Sequence, residues 1–245
     1  MEPVRPVAPI DPSSSAIRLW PLPLVAAVLP AVAVVLALRL FADTGGIRCN
    51  PFIDDCVSIS RMARHGVANH LFRALVLPGA VLQLLTWLVG AHALAAAGLA
   101  RRDSRLLALI GAFAGVALVV YGSFLGTDGD VYRWLRRWGT LIYFGGTYLA
   151  MLLFARSAQR LHAAHRLVLP RGHASAMLAL LAFIALLVPL QTLTSIGPFV
   201  DLKDRVENLV EWWGSLALTL TFVTMAALWR RWGLVMTVSL PQPRR

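Results

Sequence analysis

A chain of 245 residues in which 58% are hydrophobic, only 14% are charged and the mean hydropathy is +0.69 carries far more apolar surface than a soluble domain of that size can bury. Its formal charge of +11 and pI near 11.2 would suggest nucleic acid in a soluble protein. With no soluble basic module in the sequence, that reading is set aside, and the basic residues are assigned to membrane-flanking loops.

Six apolar stretches follow one another at residues 19–41, 71–99, 106–125, 139–155, 174–195 and 209–229. A helix needs about 20 apolar residues to cross a hydrocarbon core of about 30 Å, and each stretch meets or approaches that length. The expected fold is all-α, a polytopic bundle of six transmembrane helices with structured extracytoplasmic loops. Residues 1–18 read as a disordered cytoplasmic tail, 19–229 as the transmembrane domain and 230–245 as a basic cytoplasmic tail. The proline-rich flank of the first stretch is unlike a cleaved signal peptide, so that stretch is expected to stay as an anchor. No segment recurs as an internal repeat.

With both termini cytoplasmic, 13 of the 23 basic residues fall inside and 10 outside, whereas the acids divide 3 inside and 9 outside. The basic bias agrees with the insertion rule. Lys203 is the only lysine beside 22 arginines; with the Ala and Leu excess, this points to a GC-rich bacterial genome and an inner-membrane location. Basic inner loops also suit anionic headgroups, and the expected partner is membrane lipid, with no nucleic acid. The sequence gives no expectation for protein partners.

The first outer loop, residues 42–70, holds both cysteines, Cys49 and Cys56, around Asn50-Pro51-Phe52-Ile53-Asp54-Asp55. In an oxidising compartment two such near thiols are expected to pair, closing a short loop at about 2–3 kcal/mol of chain-entropy stabilisation. Free thiols remain the main alternative. A metal site is disfavoured, since structural zinc takes four ligands. The loop continues through Ser58-Ile59-Ser60-Arg61 to His65 and His70. A serine with either histidine and Asp54 or Asp55 has the composition of a hydrolase triad, but no Gly-x-Ser-x-Gly elbow accompanies it.

The second outer loop, 125–139, carries Asp128, Asp130, Arg133, Arg136 and Arg137 among aromatics. The third, 197–208, carries Asp201, Lys203, Asp204, Arg205 and Glu207. Such loops suit a cap over the bundle. On the inner side, His92 in the second span reads as a packed or hydrogen-bonded core residue. His162 and His165, with His173 beyond, lack a Glu partner or a fourth ligand and read as part of a headgroup-facing segment. No cofactor or metal is expected.

In the sixth span Glu207, Glu211, Ser215 and Thr219 recur every four residues and share one helical face. An ionised Glu211 facing lipid would be costly, so the stripe should face inward. Thr140, Tyr143 and Thr147 in the fourth span, and Gln191, Thr192, Thr194 and Ser195 at the end of the fifth, are available to complete a polar cavity. Hydrogen bonding between helices is the plainer use of those Ser and Thr hydroxyls.

Three features together resemble the Frag1/DRAM/Sfk1 family and related bacterial six-helix proteins. They are Pro51-Phe52-Ile53-Asp54-Asp55 with Ser58-Ile59-Ser60, then Leu71-Phe72 opening the next span, and Glu211-Trp212 with Leu220-Thr221-Phe222 in the last. The resemblance implies lipid-related work on the luminal or extracytoplasmic side. Ser60 and Glu211 carry over. Arg61 stands where the family pattern has Asp, and Asp55 is the candidate substitute for that acid.

These readings give two expectations of different kinds. One is a protein that binds or handles a lipid or amphiphile in a polar cavity open to the outer leaflet, using Asp54, Asp55, Ser60, Asp128, Asp130, Arg133, Arg136, Arg137, Glu207 and Glu211. The other is a lipid-modifying acyl transferase or hydrolase in which Glu211, Asp55 or Ser60 is catalytic, an acid serving as general base. A ligand-free scaffold is the third, plainer alternative.

Overall fold

The computed structural model describes residues 15–194 and 201–238. Ser195, the start of the third outer loop at 197–200, most of the amino-terminal tail and the tail arginines Arg244 and Arg245 lie outside the described residues. Among the described residues, six helices are long and apolar enough to span a membrane: α1 (Pro21–Asp43), α3 (Gly66–Ala96), α4 (Arg101–Phe124), α5 (Asp130–Ala163), α6 (Arg171–Leu193) and α7 (Lys203–Trp232). A one-turn helix, α2 (Ile59–Met62), sits in the first loop. The molecule is an all-α, multi-pass membrane bundle.

The helices outrun their apolar stretches. Hydropathy marks the part of a helix that sits in hydrocarbon, whereas the backbone stays helical until a cap ends it. The 34 residues of α5 correspond to about 51 Å at 1.5 Å per residue, well beyond the apolar core. The segment from Asp130 to Trp138, expected as loop, is therefore the first two turns of α5, and Lys203 to Asn208 opens α7 in the same way.

A second departure is a two-stranded antiparallel ladder. β1 (Ser15–Arg18) pairs with β2 (Val235–Val238), Arg18 opposite Val235, and Leu19 N–H donates to Leu234 O at 3.0 Å. Both segments read as tails in the sequence. Gly233, at φ +61°, supplies the left-handed residue that turns the chain back after α7, and the Arg230 guanidinium lies 5.5 Å from the Trp20 ring. The ladder holds both described chain ends at one end of the bundle, across α1 from the Cys49–Cys56 loop.

Close approach of helices rests on small residues, as expected where lipid offers no hydrophobic drive to association. Pro30 of α1 packs on Gly79 of α3, Trp87 of α3 covers Gly111 of α4, and Gly146 of α5 meets Ala114. The core divides in two. Near the ladder, Trp87, Phe154, Phe222 and Trp229 are fully buried among α3, α5 and α7; near the disulfide, Val57, Ile59, Met62, Phe72, Val76, Leu118 and Trp212 pack together. At the ladder end Asp103 pairs with Arg160 at 3.5 Å. His92 is exposed, because Ala91 and Leu94 take the buried positions of that turn; the core role expected for it is corrected.

A Cβ at Gly111 would run into the buried Trp87 side chain, while one at Gly145 would meet nothing within 4 Å. Gly111→Val should destabilise the detergent-solubilised protein by about 1–3 kcal/mol or more. Gly145→Ala should be neutral or slightly stabilising. Thermal unfolding of the two variants checks the packing.

Candidate ligand cavity

The site begins with the loop. Cys49 and Cys56 are disulfide-bonded, their Cα atoms 6.6 Å apart. Within the ring the chain turns on Asn50: Asn50 Oδ1 accepts from Phe52 N–H at 3.1 Å, Asn50 O accepts from Asp54 N–H at 2.8 Å, and Asp54 Oδ2 accepts from Asn50 N–H at 2.8 Å. Asp54 thus holds the turn.

One face of α7 then receives this loop. Arg205, Asn208 and Trp212 stand at i, i+3 and i+7, the spacing of a single helical face. Arg205 Nε lies 2.5 Å from Asp55 Oδ2, Asn208 Nδ2 donates to Asp55 O at 2.6 Å, and Trp212 Nε1 donates to Val57 O at 2.8 Å. Trp213 Nε1 donates to Phe52 O at 3.1 Å, and the Phe52 ring meets Trp212 and Trp213 edge-on at 5.3 and 5.2 Å. The donors satisfy loop carbonyls that would otherwise be stranded near the membrane.

This docking brings Ser60 to Glu211. Ser58 caps α2 by accepting from Arg61 N–H at 3.2 Å, which fixes the turn carrying Ser60. Ser60 N–H donates to Glu211 Oε2 at 3.3 Å and Ser60 Oγ donates to Oε1 at 3.4 Å, with the Ile59 N–H close by. Among the described residues no Lys or Arg lies within ion-pair distance of Glu211. A carboxylate offers about four acceptor sites, so Glu211 keeps capacity for a further donor.

Beneath the loop lies a cavity of about 740 Å³ between α1, α3, α4, α5 and α7. One wall is apolar, with Val34 and Leu38 of α1, Phe72 and Val76 of α3 and Leu118 of α4. The lining from α5 and α7 mixes Thr140, Tyr143, Glu211, Ser215 and Thr219 with Phe144, Leu216, Leu218 and Phe222. Thr140 and Thr219 donate to the carbonyls of Arg136 and Ser215 in their own helices. Gln83, buried, donates to Ala26 O at 3.1 Å and sits beside Tyr143, its Oε1 without a partner within hydrogen-bond distance among the described residues. The rim carries Arg39, Asp43 and Arg48.

Of the residues expected from the sequence, the structure brings Ser60 and Glu211 into contact and sets Asp55 against Arg205 above them. Glu207 lies a turn above Glu211, outside the lining. The second loop stands apart: Asp128 and Arg137 are exposed, Asp130 pairs with Arg133, and Arg136 donates to Phe124 O at 3.0 Å and to Thr127 O. At the end of α6, Thr192 and Thr194 bond carbonyls of their own helix and do not line the cavity. His65 and His70 are exposed, and the bonds of Ser60 go to Glu211 and Ser58 rather than to an imidazole. His162 Nδ1 accepts from Leu169 N–H at 3.3 Å, closing the turn after α5.

Sequence reasoning missed Gln83, Arg39 and Arg48 as lining residues. A single arginine inside the apolar run of α1 was the available signal for Arg39.

Compared with known protein families, with characterised proteins and with solved structures, the chain gives no match. What fold and site define is an integral, multi-pass membrane protein with a disulfide-closed loop docked over a partly open cavity.

Proposed function

We propose that the cavity binds a lipid or other amphiphile. One observation carries this reading: a carboxylate held by Ser60, paired with no cation among the described residues, opens into a cavity whose lining is otherwise largely apolar. A ligand with a polar end and a hydrocarbon end matches that lining. The volume lies within the range of small-molecule sites, about 300–1,000 Å³. The reading also agrees with the resemblance to the Frag1/DRAM/Sfk1 family, whose carried-over positions are Ser60 and Glu211.

A catalytic use of the same pair is the second reading. Ser60 Oγ donates to Glu211, the arrangement of a hydroxyl beside a general base. Turnover of a bound ester by the wild type, absent in Ser60→Ala, would select it.

A photoreactive acyl chain on a phospholipid, supplied below one equivalent to the detergent-solubilised protein, tests the binding reading. Labels are expected on Val34, Val76, Leu118 and Leu218 of the cavity. Labels spread over outward residues such as Leu109 and Leu141 alone would reject it.

We further propose that the loop faces the oxidising, extracytoplasmic side and both termini the cytoplasm, in a bacterial inner membrane. Reporter fusions after Ser104 and after Asp128 should report opposite compartments. Two cytoplasmic reports would contradict this topology.

A further inference from the structure

A separate groove of about 620 Å³ lies at the ladder end of the bundle, remote from the disulfide loop. Its floor is one face of α7: Val223, Ala226, Ala227, Arg230 and Arg231 stand at i, i+3, i+4, i+7 and i+8. Trp20 and Leu24 flank it from the α1 side and His173 from α6. Val223 and Ala227 are exposed along it, so the groove opens toward lipid. At 1.5 Å per helical residue, about 10 Å of α7 separates Val223 from Arg230. Over that distance the lining passes from Val223 and Leu24, through two small alanines, to Trp20 and two guanidiniums. The alanines leave room for a hydrocarbon chain beside α7.

The basic end is ordered by stacking. The Arg230 guanidinium lies over the Trp20 ring at 5.5 Å, a contact that leaves its in-plane N–H donors free for oxygen acceptors. Arg231 lies near His173. Among the described residues neither arginine pairs with an acid, and no Asp or Glu lines the groove.

We propose that this groove is a binding site for an anionic glycerophospholipid. One acyl chain runs along Val223, Ala226 and Ala227, and Arg230 and Arg231 share the headgroup phosphate, guanidinium forks being well matched to phosphate oxygens. The charge balance sets the preference. A zwitterionic lipid brings an ammonium of its own, for which the groove has no carboxylate, whereas a net negative headgroup leaves no cation facing the arginines. Any basic surface attracts anionic lipid; the groove adds a path for the chain and an oriented guanidinium. The site is independent of the cavity beneath the loop.

Native mass spectrometry of the full chain in detergent tests this with phosphatidylglycerol, phosphatidylcholine of the same acyl chains, and glycerol 3-phosphate, which has no chain. Phosphatidylglycerol should bind about tenfold more tightly than either, the scale that two interfacial arginines carry. Its preference over phosphatidylcholine should all but vanish in the double variant Arg230→Gln and Arg231→Gln. It should persist in Arg101→Gln with Arg102→Gln, which removes the same charge from exposed positions at the same end of the bundle, outside the groove. Ala227→Trp fills the chain path from an exposed position and keeps both arginines, so it should weaken phosphatidylglycerol about as much as the arginine variant does. Ser215→Trp, which fills the cavity beneath the loop, should leave the preference unchanged. Each preference is a ratio within one variant and does not depend on how much of it folds.

Equal loss of preference in the two arginine double variants reduces the effect to surface charge and overturns the proposal. Unchanged binding by Ala227→Trp overturns it too, as does glycerol 3-phosphate binding as tightly as phosphatidylglycerol. If Ser215→Trp abolishes the preference, the anionic lipid sits beneath the loop, so this proposal fails and the amphiphile reading stands. If the preference survives in Ser215→Trp while photoreactive lipid fails to label the other cavity, the amphiphile reading fails and this proposal stands.

Discussion

Glu211→Gln is expected to lower amphiphile affinity ten- to a hundredfold while leaving the protein folded. The substitution keeps the shape and one acceptor oxygen for Ser60 but turns an amide N–H₂ toward the second donor. Leaving a buried donor unsatisfied costs about 1–3 kcal/mol, and about 1.4 kcal/mol is a factor of ten in affinity. The bonds from Ser60, at 3.3 and 3.4 Å, are long, so the stability loss should stay near 1 kcal/mol, the scale of an ordinary hydrogen bond. Asp201→Asn, exposed on the approach to α7, should bind as the wild type does. Titration of the three proteins with one lipid probe measures the difference. Equal affinity in Glu211→Gln and the wild type would remove the carboxylate from the site.

Trp212→Ala should be among the most damaging single substitutions in the chain. Trp212 is 4% exposed, its indole N–H holds Val57 O at 2.8 Å, and its ring packs on Phe52. Removing a buried Trp side chain costs about 3–5 kcal/mol, and leaving a buried carbonyl without its donor adds about 1–3 kcal/mol. Because the same contact docks the loop that carries Ser60, stability and binding should fall together. Trp212→Phe separates the causes: it keeps most of the ring packing and loses the donor, so its cost should be about the carbonyl alone. Trp213→Phe, at a position 38% exposed, should cost less than either. Thermal unfolding orders the three, and alkylation of Cys56 after reduction reads the docking. Equal stability of Trp212→Ala and Trp213→Phe would contradict the packing described for the loop.

The six spans are plain in the sequence because hydropathy over about 20 residues is a strong signal. The helical character of Asp130–Trp138 is not, since polar residues extend a helix without extending its apolar run. Four-residue strands such as Ser15–Arg18 offer too little alternation to be recognised. Within the site, the inward stripe of Glu211, Ser215 and Thr219 follows from a period near 3.6. The meeting of Ser60 with Glu211, 151 residues apart, follows from no spacing. The Arg205, Asn208 and Trp212 face was open to the same periodicity argument, but their partners are backbone carbonyls, which carry no sequence signal. The second outer loop shows the opposite failure: Asp130 and Arg133 share the composition of a ligand site, yet pair with each other at the surface because they stand three residues apart on one helix.

Occupancy of the cavity is the central claim, and filling it is the most direct test. Ser215 lines the cavity one turn below Glu211, so Ser215→Trp places a large side chain in the space assigned to ligand without touching the loop contacts of Trp212. Native mass spectrometry of wild type and Ser215→Trp, released from the same lipid nanodiscs, should show one amphiphile retained per wild-type protomer and none on the variant. Equal retention by the two proteins would contradict the account.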